Sequence, residues 1–166
     1  MIAPDSVLGV ARALLDEYRA RGLKLTVAES CTGGLISACL TEIPGASDVL
    51  DRGFVTYSDA SKTELLGVAE ETIRRHGAVS EGVVREMVEG ALARSQADVA
   101  AAVTGIAGPG GGSAQKPVGL VHFAVGRRGA AVRAERRLFP GDRTAIRLAS
   151  VALTFQLLRE AAGAGE

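Results

Sequence analysis

The apolar positions in the first third of the chain predict helices and strands in alternation. Between residues 5 and 21, apolar side chains recur every three or four positions, which predicts an amphipathic helix ended by Gly22. Residues 23–28 alternate apolar and polar positions and predict a strand, which a helical segment at about 35–43 follows. An aromatic and β-branched run at 53–58 predicts a second strand.

The rest of the chain continues the alternation. Two short helices are predicted at residues 61–67 and 70–76. A third begins after Ser80, its N-cap candidate, and a fourth at about 143–160 has Asp142 as its N-cap candidate. The predicted strands are a continuous apolar run at 97–103, typical of a buried strand, and a hairpin of 118–126 with 130–139. This pattern predicts an α/β fold: one domain over residues 1–166, with three α/β/α layers and a mixed sheet of about five strands.

The order of these elements points to three loops. In open α/β sheets, ligands bind beyond the carboxyl ends of the parallel strands. The loops after Ala28, after Tyr57 and after Val103 are therefore the places where a site is expected.

Charge and composition narrow the classes of partner. Lys and Arg total 19 and Asp and Glu total 19, so nothing in the bulk charge favours nucleic acid or an acidic membrane surface. The chain starts without a basic segment that leads into an apolar run, and no stretch approaches about 18 uninterrupted apolar residues, so we expect a cytoplasmic protein without a membrane span. Cys31 and Cys39 lie two helical turns apart, which favours free thiols.

The first loop is Glu29-Ser30-Cys31-Thr32-Gly33-Gly34, which follows a strand and opens a helix. Its backbone N–H groups and the positive end of the helix could hold an anion, and Ser30 is a candidate nucleophile. The plainer alternative is a capped, close-packed turn. The loop matches neither the phosphate-binding glycine motifs nor the Gly-x-Ser-x-Gly elbow of hydrolases.

The remaining loops add candidates of the same kind. Lys62 lies in the first turn of a helix and could act as a base if its pKa were lowered, although a solvated surface lysine is the plainer alternative. The glycine-rich segment 104–113 either approaches a ligand closely or is simply flexible. Arg143, at the start of the last helix, could present its guanidinium to a phosphate. His76 and His122 do not combine with the cysteines at any metal-ligand spacing, so we predict no metal site.

Taken together, these segments resemble the C-terminal domain of the competence/damage-inducible CinA family, in its stand-alone nicotinamide mononucleotide deamidase form. The matching segments appear in family order over nearly the whole chain. They are residues 28–34 (Ala-Glu-Ser-Cys-Thr-Gly-Gly), 53–58, Lys62 with 66–68, 76–81, 104–109 (Thr-Gly-Ile-Ala-Gly-Pro), 116–119 and 139–143.

The resemblance implies hydrolysis of the carboxamide to nicotinate mononucleotide and ammonia, with no cofactor. In that scheme Ser30 attacks the carboxamide carbon, Lys62 is its base, and Tyr57 orients or relays the proton. The loop amides of Thr32, Gly33 and Gly34 would support either the oxyanion or the substrate phosphate. The further substrate-binding positions that the resemblance implies are Ser47, Thr104, Gly105 and Arg143. It also makes a homo-oligomer plausible.

Two other classes of function stay open from the sequence. One is a non-catalytic module that binds a nucleotide phosphate through the same loops and keeps Lys62 protonated. The other is an amidase or esterase for a different small substrate. Release of ammonia from the mononucleotide separates all three.

Overall fold

The computed structural model describes residues 1–163, which form six α-helices and a five-stranded sheet. In chain order the elements are α1 (Asp5–Ala20), β1 (Leu25–Glu29), α2 (Leu35–Thr41), a 3₁₀ turn (Ala46–Asp48), β2 (Leu50–Val55), α3 (Asp59–Leu66), α4 (Glu70–His76), α5 (Glu81–Ala93), β3 (Val99–Gly105), β4 (Leu120–Arg127), β5 (Arg133–Leu138) and α6 (Arg143–Gly163).

The sheet is mixed, in the order β2-β1-β3-β4-β5. β1 pairs in parallel with β2 on one side and with β3 on the other, whereas β4 is antiparallel to β3 and to β5. The β4–β5 hairpin is the one that the sequence predicts. Five strands, mixed direction and an antiparallel edge all confirm the predicted fold.

The two faces of the sheet carry side chains of different size. One face is covered by α1, α2 and α6 and presents large residues such as Leu25, Val27 and Phe123. The other face is covered by α5 and presents alanines, among them Ala100 and Ala102. The small side chains let α5 lie close to the strands. Because helices cover both faces of the sheet, the predicted three-layer architecture is confirmed.

Several strands differ from their predictions: β3 covers Val99–Gly105 where 97–103 is predicted, and β5 starts at Arg133, three residues later than predicted. β1 is buried at all five positions, because helices cover both faces, so its apolar–polar alternation does not mark a solvated face. Thr26 is accommodated there because its hydroxyl donates to the Arg52 carbonyl at 2.8 Å. β2 starts at Leu50, three residues earlier than predicted, and ends at Val55.

The other boundaries follow the local signals. Ser80 caps α5 by accepting from the Val83 N–H, and Asp142 accepts from the Ala145 N–H at the start of α6. Cys31 and Cys39 are buried free thiols, as expected. Among residues 1–163, no helix is long and apolar enough to cross a membrane.

The strand order reverses at β1, because the next two strands along the chain lie on opposite sides of it. From β1 the chain moves to β2 on one side through α2, and after β2 it returns to β3 on the other side through α3, α4 and α5. Loops on either side of such a strand diverge to opposite faces and leave a crevice at the carboxyl ends. Backbone bonds tie the three strand ends together there: Ser30 N–H donates to Val103, and Thr56 N–H to Glu29.

Candidate active site

A cavity of about 280 Å³ occupies this crevice. Its lining comes from the three loops that the order of elements indicates: Ser30, Cys31, Tyr57, Asp59, Lys62, Ala78, Val79, Thr104, Gly105, Ile106, Ala107, Gly108, Gly110, Gly111 and Arg143. Ser30, Lys62 and Thr104 are buried and form the floor, whereas Tyr57 and Arg143 are exposed and form the rim. The volume lies just below the usual range for small-molecule sites, about 300–1,000 Å³.

Lys62 is a buried amine. It sits in α3, whose start is fixed by a capping box between Ser58 and Ser61, and only 1% of its surface is exposed. Its Nζ donates to the Thr56 carbonyl at 2.9 Å. Burial lowers the pKa of Lys62 below its usual 10.5, and the nearby Asp59 carboxylate opposes that shift only in part. Lys62 is therefore not a solvated surface lysine, and its environment favours the neutral form that a base requires.

Ser30 directly follows β1 and faces the same cavity. It is 8% exposed, its N–H donates to the Val103 carbonyl at 3.0 Å, and its carbonyl accepts from Gly33 N–H at 3.0 Å. Both backbone groups of Ser30 are thus held. Within the described chain, Lys62 Nζ hydrogen bonds to Thr56 and not to Ser30, so the amine and the hydroxyl share the cavity without a direct bond.

Cys31 lines the cavity beside Ser30, but its thiol is a poor nucleophile. Burial raises the pKa of Cys31 to about 11. Since the thiolate is the reactive form, a thiol that stays protonated at neutral pH does not compete with the serine.

In the turn at Thr32, Gly33 and Gly34, the amides of the two glycines bond to protein groups, whereas the sequence suggests that they hold a ligand. Gly33 N–H donates to the Ser30 carbonyl, and Gly34 N–H donates to the Glu29 carboxylate at 3.1 Å. None of the three residues lines the cavity. Gly33 and Gly34 have φ of 55° and 95°, so the turn requires glycine for its left-handed backbone. Their role is to shape the turn that carries Ser30.

Glu29 is the residue that sequence reasoning missed. It is fully buried at the end of β1, and its carboxylate accepts from the start of α2. An acid directly before a helix start was the available signal, because helix N-termini favour negative charge.

The rim is organised by Arg143. Its guanidinium donates to the Gly108 carbonyl at 2.7 Å and to the Tyr57 hydroxyl at 3.1 Å. Arg143 therefore links the glycine-rich loop to the loop after β2, and the phenol of Tyr57 bonds to it and not to Ser30 or Lys62. A guanidinium has five N–H donors, so donors are left for a ligand.

Thr104 and Gly105 reach the site in different ways. The Thr104 hydroxyl donates to the Ala78 carbonyl at 2.9 Å, which ties β3 to the loop before α5. A Cβ at Gly105 would lie 2.7 Å from Val121 Cγ2, so this position excludes a side chain. Residues from Thr104 to Gly111 of the glycine-rich segment line the cavity, and close approach to a ligand stays a prediction.

Ser47 lies elsewhere. It is exposed in the 3₁₀ turn Ala46–Asp48, which precedes β2 and so lies at the amino ends of the parallel strands. It does not line the cavity. Its position gives no support to a binding role at this site within one chain.

The arrangement suits attack on a polarised carbon. A buried amine that donates one N–H to Thr56 keeps its lone pair when neutral, and it can take a proton from a hydroxyl in the same cavity. Among residues 1–163, no group of three or more His, Cys, Asp and Glu side chains is arranged to hold a metal ion.

Known proteins are similar to this chain in sequence and in fold. The family model of the CinA C-terminal domain matches residues 8–162. The "Nicotinamide-nucleotide amidohydrolase PncC" of Enterobacter agglomerans is 53% identical over 143 residues, covering 86% of this chain and 87% of that protein. A "CinA-like protein" of Akkermansia muciniphila is 54% identical over 147 residues, covering 89% of this chain but only 35% of that longer protein.

The solved structures agree with the sequence relatives. The crystal structure of the competence/damage inducible protein CihA from Agrobacterium tumefaciens superposes with a TM-score of 0.93 at 49% identity, covering 96% of this chain and 97% of that one. The sequence match and the fold agree over almost the full length described. The chain belongs to the CinA C-terminal domain family.

Proposed function

We propose that this protein hydrolyses the carboxamide of nicotinamide mononucleotide to nicotinate mononucleotide and ammonia. The observation that carries the proposal is the buried, pKa-lowered Lys62 in the same cavity as Ser30. The name of the Enterobacter agglomerans relative, which this chain covers almost completely, supports the substrate class. The chain covers only 35% of the Akkermansia muciniphila relative and 39% of a relative from Caldicellulosiruptor bescii, so these longer proteins do not enter the proposal.

The mechanism follows from the floor of the cavity. Neutral Lys62 takes the hydroxyl proton of Ser30 while Ser30 Oγ bonds to the carboxamide carbon. The tetrahedral adduct expels the amide nitrogen, which leaves as ammonia with the proton that Lys62 returns. Water then attacks the carbon of the Ser30 ester, and Lys62 accepts one of its protons. The C–O bond to Ser30 breaks, Lys62 returns that proton to Ser30 Oγ, and the released acid loses its own proton to solvent to give the carboxylate, which restores the enzyme.

Ammonia release from nicotinamide mononucleotide tests the proposal. We expect turnover with a strong chelator present, and a loss of about 10²–10⁴-fold in kcat for Lys62→Ala, the scale of general-base catalysis. Ser30→Ala abolishes turnover. Because nucleophile and base act as one unit, the double variant is no slower than the slower single variant.

The same assay tests the competing functions. If the loss of kcat in the double variant is the product of the losses in the two single variants, the dyad is contradicted. If a chelator abolishes turnover and one divalent metal restores it, the metal-free scheme is contradicted. Tight mononucleotide binding without ammonia release would identify a binding module. Release from other small amides or esters, but not from the mononucleotide, would identify a different hydrolase.

We further propose that residues 1–166 act as one amidohydrolase domain, as a homo-oligomer in the cytoplasm, on a small nucleotide and not on nucleic acid. The balanced net charge supports the last point. Light scattering measures the assembly, and a mass equal to one chain at assay concentration contradicts it. Protein that sediments with a membrane fraction contradicts the location.

A further inference from the structure

Glu29 makes an unusual number of hydrogen bonds for one side chain. One carboxylate oxygen accepts from Thr32 Oγ1 at 2.7 Å, from Gly34 N–H at 3.1 Å and from Ile36 N–H at 3.0 Å. The other accepts from Ser37 N–H and from Ser37 Oγ, both at 2.8 Å. All five donors belong to the turn after Ser30 or to the first turn of α2.

These bonds exclude two other roles for the carboxylate. Five donors fill the roughly four lone-pair sites of a carboxylate, so Glu29 has no free position from which to take the proton of Ser30. It is also fully buried and does not line the cavity, so it does not contact the substrate. What remains is its effect on the turn.

The turn is held from a second side by α6. Arg147 donates to the Thr32 carbonyl at 2.7 Å. The backbone of Thr32 is therefore held by a cation, and its side-chain hydroxyl by the Glu29 carboxylate. Ser30, at the base of this turn, has both of its backbone groups bonded. The direction of Ser30 Oγ therefore depends on a turn whose geometry the Glu29 carboxylate sets.

We propose that Glu29 is a positioning residue for catalysis: its carboxylate fixes the turn that aims Ser30 at the carbon under attack. The same carboxylate occupies the start of α2, so the anionic group of a substrate has to bind elsewhere. This inference rests on the proposed function, because it assigns Ser30 as the nucleophile.

The test compares three variants with the parent enzyme. Glu29→Gln is isosteric but places an NH₂ group against donors. Thr32→Val removes only the hydroxyl that links the turn to Glu29, and the matched control Ser37→Ala removes a hydroxyl bonded to the other oxygen, inside α2. Each protein is measured for kcat and KM with the mononucleotide, for thermal unfolding, and for the rate at which phenylmethylsulfonyl fluoride labels Ser30 with loss of fluoride.

For Glu29→Gln we expect kcat and the labelling rate to fall together by roughly 30–100-fold, since a misplacement of about 1 Å can cost about 10²-fold, with KM within about 3-fold of the parent. For Thr32→Val, kcat and the labelling rate fall by a smaller factor. For Ser37→Ala, both stay within about 2-fold of the parent values. If Glu29→Gln does not fold, the comparison of Thr32→Val with Ser37→Ala decides.

Three results would overturn the positioning role. They are a folded Glu29→Gln variant with parental kcat and labelling, a rise in KM alone, and equal effects of Thr32→Val and Ser37→Ala. A parent that labels at Ser30 but releases no ammonia refutes the proposed function only, because labelling still measures the role of Glu29. A parent that does neither refutes both.

Discussion

Lys62 shows a conflict between stability and chemistry within one side chain. Its pKa is lowered in the folded state by burial, so the unfolded chain holds the Lys62 proton more tightly than the folded chain. The stability of the parent therefore rises with pH through the window between the lowered pKa and 10.5, and burial opposes folding most strongly below that window.

Replacing Lys62 by methionine isolates this effect. We expect Lys62→Met to be inactive and, at pH 7, more stable than the parent, because methionine fills a similar volume without a charge to desolvate. The gain shrinks as the pH is raised toward 10.5. Urea unfolding of both proteins from pH 6.5 to 9.5 measures it, and a constant difference, or a variant that is less stable throughout, contradicts the interpretation.

The same residue sets the pH profile of the reaction. Since the neutral amine is the base, kcat/KM rises with pH and levels off above the lowered pKa of Lys62, at a midpoint below 10.5. A rate profile over pH 6–10 measures the midpoint. Its control is Cys31→Ala: the thiol, with a pKa of about 11, is protonated at neutral pH, so the profile of this variant still rises below 10.5. Because Cys31 raises the pKa of Lys62, any displacement of the midpoint in Cys31→Ala is toward lower pH. Loss of the rise in Cys31→Ala would assign the titration to the thiol.

At the level of elements, the contact between α3 and α5 holds Lys62 in place. A Cβ at Gly90 in α5 would lie 1.8 Å from the Leu66 carbonyl oxygen of α3, so the two helices approach each other through that glycine. Gly90→Ala forces them apart. We expect a loss of about 1–3 kcal/mol in the free energy of unfolding, the scale of overpacking, together with a lower kcat because α3 carries the base.

Gly9 provides the matched control. It lies on the exposed side of α1, and a Cβ there has no atom within 4 Å. Gly9→Ala should raise the free energy of unfolding by about 0.5–1 kcal/mol, because alanine loses less backbone entropy in a helix. Urea unfolding measures both variants. Equal stabilities for Gly90→Ala and the parent would mean that α5 shifts without strain.

The elements also show how far sequence patterns reach. α4 was predicted at its observed bounds because acids at its start and basic residues at its end are local signals. The predicted start of β2 is three residues too late, because a half-exposed edge strand has no burial pattern that marks its first residues. Glu29 was overlooked because its function depends on a turn that folds back onto it, and spacing along the chain does not show that closure.

For the whole molecule, the location of the site followed from topology alone. The reversal at β1 places the loops after β1, β2 and β3 around one cavity, and the order of elements was enough to predict that. The sequence did not show which groups face the cavity. The amides of Gly33 and Gly34 turn inward to the protein, and Ser47 sits at the opposite ends of the strands.

This placement divides the cavity into a reactive floor and a charged rim. The chain has no net charge to attract a phosphorylated substrate, and Glu29 occupies the start of α2, so the phosphate must be held by a placed cation. Arg143 on the rim fits that role. Two of its N–H groups bond to Gly108 and Tyr57, and these bonds orient the N–H groups that are left for the phosphate.

Arg143→Ala should therefore weaken the transition-state complex with the mononucleotide by about 1.5–3 kcal/mol, the scale of a charge-assisted hydrogen bond. Nicotinamide riboside, which lacks the phosphate, should be a poor substrate for the parent and hardly poorer for the variant. Arg143→Lys restores part of the loss, since an ammonium lacks the planar fork. Tyr57→Phe, which removes one partner of the guanidinium but not its charge, should have a smaller effect on the mononucleotide than Arg143→Ala. The measurement is kcat/KM for both substrates in all four proteins. An equal loss for nucleotide and riboside in Arg143→Ala would mean that the arginine supports the glycine-rich loop through Gly108 and does not bind the phosphate.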